Sequence, residues 1–318
     1  MTTSELIRIY VDAKRAHGVN LRSGERVLYQ FARETDDRSL VDVTPDAVAA
    51  FLRGSGDLSA TWRTKYALLG GLYRFAIARG HVVASALPKQ RPKLPPPITP
   101  YVYSLEEVQR LLDATSMLES PYSPLQARTY RTLLLLLYAT ALRVSEALRL
   151  TLADLDLVGH VLTVKESKFY KTRLVPFGGQ LASALSRYIE QRGSLPMPAG
   201  PASALLCSRA GHRLDYQRVV TLFQRVRAQA RIGCPPGQHR PPRLHDLRHT
   251  ATVHRVVAWY RAGKDVQRLV PHLATYLGHA SIASTQRYLQ MTPDLLQQAS
   301  LRFAAYADVD NLTEVSDD

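Results

Sequence analysis

His245-Asp246-Leu247-Arg248-His249, followed by Leu277-Gly278-His279 and then by Tyr288, is the stretch on which the reading of this chain turns. Arg248, His245, His279 and the phenol of Tyr288 are hydrogen-bonding groups suited to an oxyanion. Far upstream, Thr140-Ala141-Leu142-Arg143-Val144-Ser145-Glu146 places another arginine at the end of an apolar run. Guanidinium binds phosphate bidentately and keeps its proton. Imidazole relays protons near neutral pH, and a tyrosine can form a covalent intermediate that divides one hard step into two. Such a set suits phosphoryl transfer, where positioning and electrostatics carry most of the rate.

Outward from these boxes the chain reads as largely helical. Ser104-Leu105-Glu106-Glu107 is a capping box that restarts helical periodicity. From about Pro124 through Leu133–Leu137 to Thr140 the chain is apolar nearly all round, which predicts a central buried helix. Its most apolar run, Leu133 to Leu142, is far below the ~20 residues needed to cross a bilayer. Glu146 stands three residues after Arg143 and reaches it on one helical face, as a structural salt bridge would. Val161–Val164 and Thr172–Pro176 alternate apolar and polar residues about a lysine-rich turn, the pattern of a β-hairpin with Lys165, Lys168 and Lys171. Gln180–Arg192 and Tyr216–Arg231 read as amphipathic helices, with Ala204–Ser208 as a short strand between them. A proline- and glycine-broken loop, 233–242, delivers a helix over 245–261. Ser281–Leu289 reads as a short helix bearing Tyr288, and Asp294–Tyr306 as a last amphipathic helix before an acidic tail.

The N-terminal part reads as a small helical bundle: Ser4–His17, Ser23–Glu34, Pro45–Arg53 and a longer helix, Ser59–Arg79, with Gly18, Gly54 and Gly80 as stops. Thr44 before Pro45 is an N-cap followed by proline in the first turn. Between Leu87 and Tyr103 prolines alternate with Lys89, Arg91 and Lys93. That composition predicts an extended, semi-rigid spacer, whose basic residues either follow a DNA backbone or belong to a plain linker. The expected domains are therefore 1–86, a linker over 87–103, a second domain over 104–300, and a tail over 301–318.

With 318 residues, 46% hydrophobic and 21% charged, the chain has the composition of a globular protein with room for two cores. Its net charge of +14 points to a polyanionic partner, most simply nucleic acid. Two cysteines, Cys207 and Cys234, make no disulfide framework, and Ile7–Val11 is too short and too broken by Arg8 to be a signal peptide. A cytoplasmic protein with no membrane association is expected. Cys234, His239, His245 and His249 lie close in sequence, but the glutamate of an H-E-x-x-H site is missing and Arg248 would repel a cation. No metal site is assigned.

The order R-x-S-E, H-x-x-R-H, L-G-H, Y resembles the tyrosine recombinases, the phage-integrase-type site-specific DNA recombinases. The resemblance covers about Ser104 to Gln290, and more loosely the helices before. It implies a mainly α fold with a small antiparallel sheet: an N-terminal helical (SAM-like) core-binding domain and an α+β catalytic domain. It makes Arg143 and Arg248 the phosphate clamp, His245 and His279 partners of the same oxygens, Tyr288 the nucleophile, and Glu146 and His249 supporting residues. Counting back from Arg173-Leu174-Val175-Pro176 puts the hairpin's catalytic lysine at Lys168, with Lys165 and Lys171 as alternatives. The core-binding domain would clamp double-stranded DNA through Arg63, Lys65 and Arg74, and Lys165, Lys171 and Arg173 are further expected contacts.

Two departures accompany the resemblance. Ala141 stands where the family usually has glycine, and fits only if the backbone there needs no positive φ. Residues 263–277, with Val270-Pro271-His272, exceed the usual link to the L-G-H box and are expected to extend a surface loop or to add a helical turn. The implied reaction uses a 3′-phosphotyrosine, no cofactor, no metal and no ATP. It implies a tetramer on DNA passing through a Holliday junction, a monomer when free, and accessory proteins as further partners. The last helix and tail would dock on a neighbouring subunit or fold back on their own domain. A type IB topoisomerase-like relaxing enzyme, or a catalytically silent accessory DNA-binding protein of the same fold, are the rival readings.

Overall fold

Residues 1–19, 21–56, 58–95, 99–165, 172–236, 240–279 and 285 are described by the computed structural model. Lys168, Lys171, His239, Tyr288, the last helix and the tail lie outside them, as does the helix expected over 281–289 except for helical Thr285. Two units emerge, Met1–Ile98 and Thr99–Asp318.

The first unit contains α1 (Thr3–Ala16), α2 (Arg22–Glu34), α3 (Pro45–Arg53) and α4 (Ala60–Ala78). Local chemistry sets their starts. Thr2 and Glu5 form a reciprocal capping box on α1, and Thr44 accepts from Ala47 N at 3.2 Å with Pro45 in the first turn of α3. Leu6, Leu28, Phe31, Phe51, Leu69 and Leu72 fill the core between the helices.

Lys65 corrects an expectation. It is buried on α4, and its ammonium donates to the Phe51 carbonyl at 2.7 Å and lies 4.1 Å from the Phe51 ring centre. Phe51 is in the last turn of α3, whose carbonyls lack helical partners and carry the negative end of the dipole. Lys65 therefore caps α3 and does not reach a phosphate. Arg63 and Arg74 stay exposed and share a concave surface with Lys14. The basic residues expected on the spacer, Lys89, Arg91 and Lys93, are all exposed, and Arg91 lies 4.7 Å over the Tyr66 ring. The Tyr66 hydroxyl donates to Pro88 O at 3.2 Å, so this stretch rests on α4.

The second unit contains α5 (Leu105–Ala114), α6 (Gln126–Thr140), α7 (Val144–Ala147), β1 (Leu155–Asp156), β2 (Val161–Val164), β3 (Arg173–Pro176), α8 (Gly179–Gly193), α9 (Tyr216–Gln229), α10 (Asp246–Arg261) and α11 (Val266–Leu277), with two short 3₁₀ turns. The architecture is thus mainly helical with a small antiparallel sheet in the order β1-β2-β3, and Val164 pairs with Arg173. Helix α6, with Leu133, Leu134, Leu136 and Leu137 buried, packs against α5, α8 and α10. Tyr103, placed in the expected spacer, is fully buried here; its N–H donates to Thr250 Oγ1 and its hydroxyl to Arg243 O.

One expectation changes, and for the longer 263–277 segment the helical alternative is the one found. Ala204–Ser208 forms no strand, only the isolated bridges Thr151↔Ala204 and Cys207↔Arg213, because its partners run alongside for a single residue each. Val270-Pro271-His272 lie inside α11 and not in a loop; the helix starts at Asp265, whose carboxylate accepts from Arg268 N at 3.1 Å.

Ala141 does adopt a left-handed conformation, φ 50° and ψ 29°, as it ends α6. For a residue with a Cβ this costs roughly 1 kcal/mol. Ala141→Gly is therefore expected to raise the melting temperature by about 2 °C, part of the gain being offset by glycine's greater freedom when unfolded. A lower melting temperature would mean that methyl packing against the Val253, Val256 and Leu273 cluster outweighs the backbone.

Candidate active site

The tight turn at Ala141 has a partner. Its carbonyl accepts from Arg248 Nη1 at 2.7 Å, and Arg248 comes from the first turn of α10 with only 2% of its surface exposed. After the turn, Arg143 sits just ahead of α7, its own N–H bonded to Glu146 Oε2 at 3.0 Å and its Nη1 to Oε1 at 2.7 Å. Arg143 thus follows directly on the bend whose carbonyl Arg248, from α10, holds.

They meet again at the C-terminal end of α11. Helix ends leave carbonyls without helical partners, and here three successive ones are taken by arginines. Tyr276 O accepts from Arg173 Nε at 3.0 Å, Leu277 O from Arg248 Nη2 at 2.7 Å, and Gly278 O from Arg143 Nη2 at 3.2 Å. Gly278 is left-handed at φ 66°, and a Cβ there would stand 2.8 Å from Arg173 Nη1. The glycine of the L-G-H box is required by backbone and by neighbour alike.

Glu146 is the common counter-charge. It is 3% exposed and faces Arg173 through two bonds, Nη1 to Oε1 at 3.1 Å and Nη2 to Oε2 at 2.8 Å, in addition to its bonds with Arg143. Burial alone would raise its pKa. The hydrogen bonds from Arg173 and from the Arg143 N–H outweigh that and hold it at about 2.

His279 follows Gly278 directly. Its Nε2 lies 3.1 Å from Arg248 Nη2, which can only donate, and its Nδ1 lies 2.8 Å from Thr285 Oγ1. The imidazole is therefore neutral, with its proton on Nδ1. Burial and the charges of Arg248, Arg143 and Arg173 press its pKa down to about 4. His245, exposed at the head of α10, has its pKa lowered by partial desolvation and by Arg248. His249 is pressed down to about 4 by burial and by His245, whose ring centre is 5.2 Å away.

These shifts have a sign. Below about pH 6.5 the unfolded histidines take up protons that His249 and His279 refuse until about pH 4, so stability falls as pH falls through that window. The melting temperature of the free protein is expected to drop by several degrees between pH 7 and pH 4.5, and His279→Gln to flatten the fall. A melting temperature level across that range would contradict the neutral-imidazole assignment.

Of the residues singled out in sequence, Arg143, Glu146, Arg248 and His279 come together, with His245 and His249 beside them on α10. Lys165, at the end of β2, has its Nζ 2.6 Å from Asp154 Oδ1. Arg173, expected on DNA, is instead 10% exposed in its side chain and turned into the cluster, because its fork is filled by Glu146. Sequence reasoning missed that role, the use of the α11 carbonyls, and Thr285. The available signal was strand phase: Arg173 lies two residues from fully buried Val175, on the inward face. Among the described residues, no group of three or more His, Cys, Asp or Glu is placed to hold a metal ion, and no helix is long and apolar enough to cross a membrane.

The comparisons with known proteins agree with one another. The protein y4rB of Sinorhizobium fredii, an integrase/recombinase by name, is 34% identical over 307 residues, covering 95% of this chain and 96% of its own. Tyrosine recombinase XerD of Bifidobacterium longum is 32% identical over 263 residues, 80% of this chain and 79% of its own. In fold the chain resembles lambda integrase, solved as a tetramer bound to a Holliday junction, with a TM-score of 0.66 at 19% identity over 91% of this chain and 77% of that one. The profile of the phage integrase family spans residues 102–294, every box of the arginine cluster included. By that span and by its relatives, the chain belongs to the phage integrase family, the tyrosine-type site-specific recombinases.

Proposed function

We propose that this recombinase cuts and rejoins double-stranded DNA at a specific site by the following division of labour. Arg143 and Arg248 hold the non-bridging oxygens of the scissile phosphate, and His245 and His279 contact the same oxygens. The Tyr288 hydroxyl, giving its proton to a histidine of the cluster, attacks phosphorus, the bond to the 5′ oxygen breaks, and Lys168 supplies the proton to that oxygen. The phosphotyrosine conserves the bond energy, so a 5′ hydroxyl from another strand reverses the step without ATP or metal.

The observation that carries this reading is that Arg143 and Arg248 are anchored to adjacent carbonyls, Gly278 and Leu277, with His279 against Arg248. Fixed donors of this kind stabilise charge in the transition state without reorganising. His279, neutral in the free protein, becomes a donor at Nε2 once an anion arrives to raise its pKa. Exposed Arg63, Arg74, Lys89, Arg91 and Lys93 supply backbone contacts to the duplex, which position the site and do not read it. A tetramer on two duplexes, exchanging strands in pairs, is part of this reading, supported by the fold shared with lambda integrase, which was solved as a tetramer bound to a Holliday junction. The cytoplasm, where its DNA lies, is the expected compartment.

The test is a nicked duplex library incubated in EDTA and resolved on a denaturing gel. A protease-sensitive covalent adduct is expected, absent in Tyr288→Phe, and sequencing the trapped DNA identifies the site. Sequence-specific binding with no adduct would replace this reading with that of a silent accessory protein. Plasmid relaxation without recombinant products would favour the topoisomerase.

A further inference from the structure

Arg173 is unexplained by the clamp just described. It is the first residue of β3, its side chain is 10% exposed, and its donors go to Tyr276 O and to both oxygens of Glu146. It is turned away from solvent, so a DNA phosphate is not its partner. Arg143, by contrast, gives Glu146 a single guanidinium bond and keeps 27% of its side chain exposed.

One carboxylate is thus shared unequally by two guanidiniums. Arg173 meets it fork to fork, the geometry in which a guanidinium binds a carboxylate most strongly. Without Arg173, the carboxylate that already meets Arg143 at 2.7 Å would answer Arg143 alone, leaving an ion pair with no net charge. With Arg173, the three groups sum to one positive charge, and the guanidinium nearest solvent is the one that retains it. The Arg173 Nε bond to Tyr276 O fixes the same strand to the carbonyl ladder that holds Arg143 and Arg248.

We infer that Arg173 is a positioning residue for strand cleavage: by occupying Glu146 it keeps Arg143 electropositive and aimed at the phosphate. This rests on the proposed clamp role of Arg143. It requires that Arg173 act through its neighbours and never touch the DNA.

Single-turnover cleavage of a nicked duplex carrying the site, at saturating protein, tests it, with DNA affinity and melting temperature measured for each variant. Arg173→Met is expected to cleave about 10²-fold more slowly, as for loss of one preorganised donor, with affinity changed only a few-fold. Adding Glu146→Gln to Arg173→Met removes the charge that would quench Arg143, and about a tenfold recovery is expected. Arg173→Met in an Arg143→Ala background is expected to cost little more than Arg143→Ala alone, since residues acting as one unit are not additive. Wild-type cleavage by Arg173→Met, strict additivity with Arg143→Ala, or no recovery with Glu146→Gln would each overturn the inference. Should Arg173→Met fail to fold, Arg173→Lys carries the test: it keeps the charge without the fork, so intermediate cleavage supports the inference and wild-type cleavage overturns it. Wild-type cleavage by Arg143→Ala would instead refute the clamp and leave Arg173 with nothing to position.

Discussion

Glu146→Ala is expected to be the most damaging single change to stability in the second unit. The carboxylate is 3% exposed and answers two guanidiniums and a backbone N–H, so removing it leaves Arg143 and buried Arg173 facing each other without a counter-charge. Breaking a buried pair from one side costs about 3–5 kcal/mol, which in a domain of this size is a fall in melting temperature of about 10 °C. Glu146→Gln keeps the shape and loses only the charge, so a smaller fall is expected. Calorimetry on both variants checks this. An unchanged melting temperature in Glu146→Ala would mean that the two arginines find other anions or splay into solvent, and that the cluster is looser than its geometry.

Arg248→Lys is expected to abolish nearly all cleavage while sparing binding. The lysine keeps the charge, but a single ammonium on a flexible stem cannot reproduce a planar fork spanning Ala141 O, Leu277 O and His279 Nε2. Losing one preorganised donor costs roughly 10²–10³ in rate, and here two carbonyl anchors go with it, so a fall of about 10³ is expected. Affinity, carried mainly by the many phosphate contacts elsewhere, is expected to change only a few-fold. Single-turnover cleavage beside a binding titration separates the two effects. A variant cleaving within tenfold of wild type would show that charge suffices there and that the fork does not matter.

The sequence made the chemistry legible and much of the wiring illegible. The boxes at 245–249, 277–279 and 140–146 name most of the polar groups of the cluster because their residue types are unusual in that order. The caps at Thr44 and Ser104 were legible because an N-cap is a local event within four residues. Lys65 was not: whether a lysine on an amphipathic helix meets solvent or a neighbouring helix end is decided by packing between helices far apart in sequence. Arg173 was misplaced for a related reason. Arg173-Leu174-Val175 can be phased either way, and the apolar Leu174 invites the wrong one; in the structure Leu174 is 65% exposed and Val175 fully buried. Ala141 shows the reverse. The alanine-for-glycine difference raised the right question, and only the backbone answered it, with a positive φ that directs a carbonyl to Arg248.

The ladder of carbonyls at the end of α11 also governs where the chain tolerates a change of length. Each residue of an α-helix turns about 100° about the axis, so a residue gained or lost between Pro271 and Gly278 would present every carbonyl to the wrong arginine. Ahead of Val266 the helix begins at a capped turn whose position nothing in the cluster measures. The register of the site is therefore counted backward from Gly278. The 263–277 segment can gain residues without disturbing the site where they fall ahead of Val266.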